Sequence, residues 1–108
     1  KYLRNMKQIL FISLILSFLI FAKTFADEKF NLGKEIFLNA GNCATCHSLK
    51  DAGSVANVGP NLNEIRPDLG RVIISVTNGA GVMPSYLGVL SQDEIEAVSY
   101  YVSEASMK

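Results

Sequence analysis

Cys43, Ala44, Thr45, Cys46 and His47 stand side by side in this 108-residue chain, and no other stretch constrains it as much. Cys43 and Cys46 are its only cysteines and His47 its only histidine. Two thiols three positions apart, followed at once by an imidazole, make the attachment sequence of a c-type haem. The spacing suits that chemistry, because two intervening residues let one tight turn deliver both sulfurs to the same edge of a porphyrin. His47 then presents a ring nitrogen to the iron as the proximal ligand. Three other readings of a C-x-x-C pair stand beside this one. A thioredoxin-like redox pair wants a βαβ context around it. Half of a zinc site wants four ligands, and no distant cysteine or histidine supplies the rest. A disulfide across two residues would constrain almost nothing.

The N-terminus has the three parts of an export signal. Lys1, Arg4 and Lys7 precede an apolar run from Ile9 to Ala22, interrupted only by Ser13 and Ser17. Thr24-Phe25-Ala26 then offers small residues at the −3 and −1 positions of a cleavage site. The run is about fourteen residues, short of the roughly 20 that cross a bilayer. A cleaved signal over residues 1–26 and a mature domain over 27–108 are therefore expected, with the product in the periplasm. Cleavage uncovers an acidic protein. All ten acidic residues follow position 26 but only six basic ones do, so a total of zero becomes −4. No basic patch is left to neutralise phosphates, which argues against a nucleic-acid partner. A partner with a basic docking face is expected instead, since opposite fields speed encounter.

The remaining 82 residues are few for an independent core, and no further cysteines exist to staple it. A covalently held macrocycle would supply the missing apolar area. The pattern around the motif is helical. Leu32, Ile36, Phe37 and Ala40 share an arc that predicts a helix over 29–41, ended by Gly41-Asn42. Gly33 lowers the helix propensity there and points to close approach of another helix. Residues 48–66 have no sustained period and read as a loop. Pro67 fits the first position of a second helix, in which Leu69, Val72, Ile73 and Val76 recur at amphipathic spacing and Asn78-Gly79 form the stop. Ser91-Gln92-Asp93-Glu94 is a capping box, with Leu90 and Ile95 as its hydrophobic staple. Ile95, Val98, Tyr101, Val102 and Ala105 continue one face of the last helix. The fold class is all-α.

With His47 committed, a second iron ligand has few sources. Met6 leaves with the signal, and Met107 sits at a fraying terminus. Met83 lies between Gly81 and Pro84 in a loop joining two helices. Methionine also fills gaps in cores, but a loop Met so flanked is a poor filler and a good ligand holder. An open or water-bound site is the alternative.

The mature chain resembles the class I cytochromes c, and the short bacterial and algal electron carriers above all. Gly33-Lys34-Glu35-Ile36-Phe37 is similar to the family's first helix, whose glycine and aromatic cross the last helix, here at Val98 and Tyr101. Gly59-Pro60-Asn61-Leu62 resembles the proximal loop. The resemblance implies that the Pro60 carbonyl accepts a hydrogen bond from His47 and that Leu62 touches the ring. Asn78-Gly79 through Met83-Pro84-Ser85-Tyr86 resembles the distal loop. Two departures stand out. Phe37 and Cys43 are two residues further apart than in much of the family, so the first helix runs on or bulges. No tryptophan is present to bond a haem propionate, which leaves Arg66, Arg71 or Lys50 for that task.

The resemblance implies three to four helices wrapped around one covalent haem c, and a soluble one-electron carrier rather than an enzyme. Its expected donor is a quinol-oxidising complex, and its acceptor a terminal oxidase or another haem protein. Two alternatives differ in kind. One is an anchored cytochrome domain of a larger oxidoreductase. The other is an open-site haem protein for peroxide or a small gas, for which Asn78 and Tyr86 are the nearest distal polar groups.

Overall fold

Ser91 opens the last helix by the reciprocal bonds its sequence promised. Its hydroxyl accepts from the Glu94 amide at 3.1 Å, while the Glu94 carboxylate accepts from the Ser91 amide at 2.9 Å. Leu90 and Ile95 are both buried beside this cap. The computed structural model describes residues 1–108. In chain order it holds α1 (Tyr2–Leu38), β1 (Ser48–Leu49), β2 (Ser54–Val55), α2 (Leu62–Ile65), α3 (Leu69–Asn78) and α4 (Gln92–Ala105). The fold is all-α apart from β1 and β2, which pair antiparallel with Ser48 opposite Val55.

Several expected boundaries move. The first helix ends at Leu38 rather than at position 41, and it extends back through the apolar leader without a break. Between Leu38 and Cys43 the extra residues fold into a turn. The Gly41 amide reaches back to the Ile36 carbonyl at 2.7 Å, and Asn42 takes a left-handed conformation at φ 53°. The chain thus bulges. Pro67 is not the first residue of α3, because Asp68 caps that helix with its carboxylate on the Arg71 amide at 2.8 Å. The stretch expected to be loop contains α2, capped by Asn61, and the β1–β2 pair.

The buried arc of α1 also differs from the expected one. Phe30, Gly33, Ile36 and Phe37 face inward, whereas Leu32 and Ala40 are exposed. Gly33 sits at the middle of the contact with α4. A β-carbon there would overlap the Ala97 carbonyl and the Tyr101 side chain, so Ala97 takes the place expected of Val98. Gly33→Ala gains about 1 kcal/mol of helix propensity. Wedging the two helices apart costs about 1–3 kcal/mol. The variant is therefore expected to melt several degrees below the parent, by roughly 4–8 °C per kcal/mol, and a thermal melt checks this.

Tyr101 is the hub of the α1–α4 contact. Phe30 and Phe37 both meet its ring edge-on, at centroid distances of 4.9 and 5.7 Å. Its hydroxyl donates to the Asp51 carboxylate at 2.8 Å, which Lys34 also approaches at 3.2 Å and Lys108 at 3.6 Å. Burial pushes the Asp51 carboxyl up, but the tyrosine hydroxyl and the two ammonium groups outweigh it and hold it below the usual range. A depressed carboxylate stabilises the fold above its unfolded value, near 3.9, and that stabilisation is lost as pH falls through the folded value. Asp51→Asn should accordingly cost about 1–2 kcal/mol at neutral pH, mostly from the tyrosine bond, since the exposed lysine pairs are screened. Urea unfolding at pH 7 and pH 3 is the check, with the gap to the parent closing at the lower pH.

Candidate haem cleft

The attachment residues are delivered by local geometry. Cys43–Thr45 form one turn of 3-10 helix, and the Cys46 and His47 amides both close on the Cys43 carbonyl, at 3.1 and 2.9 Å. Both thiols are free and half-buried. As a free thiol Cys43 is pushed up to about 11 by burial, with its own backbone bond opposing and the Cys46 charge adding to the rise. A thiol so protonated at neutral pH is a poor redox nucleophile. No group of three His, Cys, Asp or Glu side chains stands close enough to hold a metal ion. The thioredoxin-like and zinc readings lose their chemical basis.

His47 is held from two sides. Its Nδ1 lies 2.8 Å from the Pro60 carbonyl oxygen, which makes Nδ1 the protonated nitrogen and frees Nε2 for another partner. Gly59 lies so close that a β-carbon would come within 2.7 Å of the imidazole Cε1. Any side chain at that position would tilt the ring. The Gly59 amide also bonds the Cys46 carbonyl at 2.8 Å, tying this loop to the attachment turn. Sequence reasoning placed Pro60 here but did not see what Gly59 does.

A tight turn carries Met83, which also borders the cleft. Ala80 and Met83 exchange backbone hydrogen bonds at 3.1 and 3.0 Å. Gly79, at φ 76°, passes so near the Met83 carbonyl and the Ser85 amide that a β-carbon would lie within 3 Å of each. Ser85 donates to the Thr77 carbonyl at 2.6 Å, and the Tyr86 amide to the Val76 carbonyl at 2.9 Å. The distal loop is thus stitched to the end of α3. Met107 is exposed at the C-terminus and does not border this space.

These segments border a cavity of about 470 Å³. Cys43, Cys46, His47, Pro60, Leu62 and Met83, the six residues singled out from sequence, all line it. Phe37 closes its floor with Val72, Val76 and Val98, while Val58 and Val82 stand exposed at its rim. Ligand clefts are of this size and apolar character. Arg71 is the one formally charged side chain on the lining, and Ser75 lies one turn after it. Arg66 turns away, its Nε on the Asn63 carbonyl at 3.2 Å, and Lys50 does not reach the cavity. Two thiols, an imidazole and a thioether on one apolar lining are donors that fit a flat apolar group.

The chain is similar to known proteins in sequence and in fold. The family described as cytochrome c oxidase, cbb3-type, subunit III matches residues 28–102. Cytochrome c6 of Diacronema lutheri is 35% identical over 75 residues, covering 65% of this chain and 88% of the relative. Cytochrome c6 of Euglena gracilis is 41% identical over 78 residues, covering 65% and 85%. The crystal structure of the c-type cytochrome SorU from Sinorhizobium meliloti superposes with a TM-score of 0.72 at 50% identity, covering 76% of this chain and 95% of that one.

Proposed function

The chain belongs to the c-type cytochrome family, with haem c as its covalent cofactor, and from that premise we propose a mono-haem, one-electron carrier with both axial positions filled by protein. When bound, the haem supplies an iron that gains and returns one electron. Cys43 and Cys46 would hold the ring through thioethers, and His47 and Met83 would be the axial ligands. The observation that carries this reading is the convergence of Cys43, Cys46, His47 and Met83 on one apolar cavity, with His47 tied to Pro60 at 2.8 Å. Leu62 would pack on the proximal face of the ring. Arg71 would pair with a propionate.

The chain's own residues fix geometry and exclude water. The Pro60 carbonyl keeps the imidazole proton on Nδ1 and raises the basicity of Nε2. The valine-lined floor keeps the site dry, so charge on the ring is little screened. A small rigid enclosure changes little on gain or loss of an electron, which suits a carrier. A visible spectrum with and without carbon monoxide tests the reading. A six-coordinate low-spin spectrum that carbon monoxide leaves unchanged is expected. Ready binding of carbon monoxide would favour the open-site alternative.

The carrier is expected to act in the periplasm between a quinol-oxidising complex and a terminal oxidase or other haem acceptor. The mature −4 charge favours partners with basic docking faces. Cleavage after Ala26 is supported by the burial pattern. Side chains through Phe25 are exposed, while from Phe30 onward α1 packs on α4. The cut would remove nothing from the core and leave Asp27 and Glu28 at a helix N-terminus, where negative charge is favourable. The anchored reading has one observation of its own, the unbroken run of α1 from Tyr2 into the domain. Mass spectrometry of the exported protein decides between them. A chain starting at Asp27 is the expected result, and a mass that retains Ile9–Ala22 would establish the anchored form.

A further inference from the structure

Tyr86 links the distal loop to the segment that leads into the attachment turn. Its hydroxyl donates to the Gly41 carbonyl at 2.6 Å, across 45 residues of sequence. This is the one hydrogen bond between the distal loop, residues 79–90, and the segment that carries the attachment motif. Its acceptor is held close to the cysteines, because a β-carbon on Gly41 would lie 3.1 Å from the Cys43 sulfur. The backbone of Tyr86 is equally committed. Its amide bonds Val76 of α3 at 2.9 Å, and its carbonyl accepts from Leu90, ahead of α4, at 3.0 Å. One residue, three positions after Met83, thus ties the methionine loop to α3 and to the attachment side, and closes the turn that leads toward α4.

The rest of the loop is held weakly on its cavity side. Val82 and Leu87 are exposed, at 90% and 67%, and the Ala80–Met83 bonds only close the loop on itself. Segments with few buried apolar contacts open locally at lower cost than the core. Met83 and Tyr86 both line the cavity, three positions apart, so the Tyr86–Gly41 bond restrains the loop close to where Met83 would swing away.

We propose that the Tyr86 hydroxyl is a positioning group for Met83, a latch that limits how often the distal loop opens and admits a foreign ligand to the iron. The latch rests on the assignment of Met83 as distal ligand. Net loss of one such bond corresponds to roughly a two- to tenfold change in an opening equilibrium.

The test measures the rate at which cyanide displaces the native ligand in the oxidised holoprotein at neutral pH. The parent, Tyr86→Phe and Tyr101→Phe are compared. Tyr86→Phe keeps the ring that fills the cleft and removes only the hydroxyl. Tyr101→Phe removes a comparable bond, to Asp51, and neither Tyr101 nor Asp51 lines the cleft. Tyr86→Phe is expected to retain the sulfur-to-iron absorption band and to bind cyanide about two- to tenfold faster. Tyr101→Phe is expected to lower the melting temperature with the cyanide rate unchanged. An unchanged rate in Tyr86→Phe overturns the latch, as does equal acceleration in Tyr101→Phe, which would reduce the effect to general loss of stability. Absence of the band in the parent would overturn the assignment of Met83 and the latch with it. That outcome is distinguishable from failure of the latch alone.

Discussion

Cys43→Ala combined with Cys46→Ala is expected to give a chain from which acid-acetone extracts all haem, and which fails to hold its fold at ordinary temperature. The two thiols are the only groups in the sequence able to form thioethers. The folding defect follows from where the cavity lies. Phe37, Val72, Val76 and Val98 belong to the single hydrophobic cluster that joins α1, α3 and α4, and each of them also borders the cleft. Without a ring these side chains would line an apolar space of about 470 Å³. At roughly 24 cal/mol per Å³ such a space costs on the order of 10 kcal/mol. That is comparable with the whole stability of an ordinary domain, about 5–15 kcal/mol. Partial collapse would recover some of it, but so small a cytochrome domain, matched over residues 28–102, has little else to draw on. Far-ultraviolet circular dichroism against temperature reads the folding arm, and haem staining after extraction reads the attachment arm. Haem that survives extraction of the double variant would contradict the assignment of the cysteines.

Met83→Ala carries the second large effect. A thioether is a weak donor that stabilises ferric iron poorly, so a methionine ligand raises the reduction potential. Its removal should lower the potential by on the order of 0.1 V or more, a fraction of the roughly 0.8 V range that axial ligands command. The vacated position should then bind carbon monoxide in the reduced protein, and the sulfur-to-iron band of the oxidised protein should vanish. Met107→Ala should change none of these, because Met107 lies exposed at the C-terminus away from the cleft. Redox titration of both variants beside the parent makes the comparison. The same band and potential in Met83→Ala as in the parent would place the ligand elsewhere.

Much of this could be read from residues alone where the signal was local. The Ser91–Glu94 capping box and the Leu90–Ile95 staple are written within six positions, and α4 begins where they say. The amphipathic repeat of α3 is equally local, and Val72 and Val76 are buried as it implied. The face of α1 was misjudged for a physical reason. Its buried arc centres on Gly33, which adds no hydrophobic weight to a helical wheel, and the weight of Leu32 drew the arc away from α4. Pro67 looked like the first residue of α3, yet the side-chain bond from Asp68 sets the cap one residue later. The short pairing of β1 with β2 has no sequence period, because two-residue strands are too brief to show one.

At the cleft the six singled-out residues converge on one space, though they are spread over 41 positions of the chain. Gly59 and Tyr86 stand in motifs visible in the sequence, but their roles are not legible there because they lie in contacts between segments. Gly59 matters through the His47 ring that it lets approach, and Tyr86 through a carbonyl 45 residues away. The choice among Arg66, Arg71 and Lys50 was likewise tertiary. Only the fold shows that Arg71 borders the cavity while Arg66 is spent on the Asn63 carbonyl.

The central claim is that His47 and Met83 close both axial positions of the iron, and X-ray absorption at the iron edge of the oxidised holoprotein tests it most directly. The expected result is a six-coordinate first shell in which one sulfur scatterer accompanies the nitrogens of the porphyrin and of His47. A shell of nitrogen and oxygen scatterers alone, or a five-coordinate iron, would contradict it.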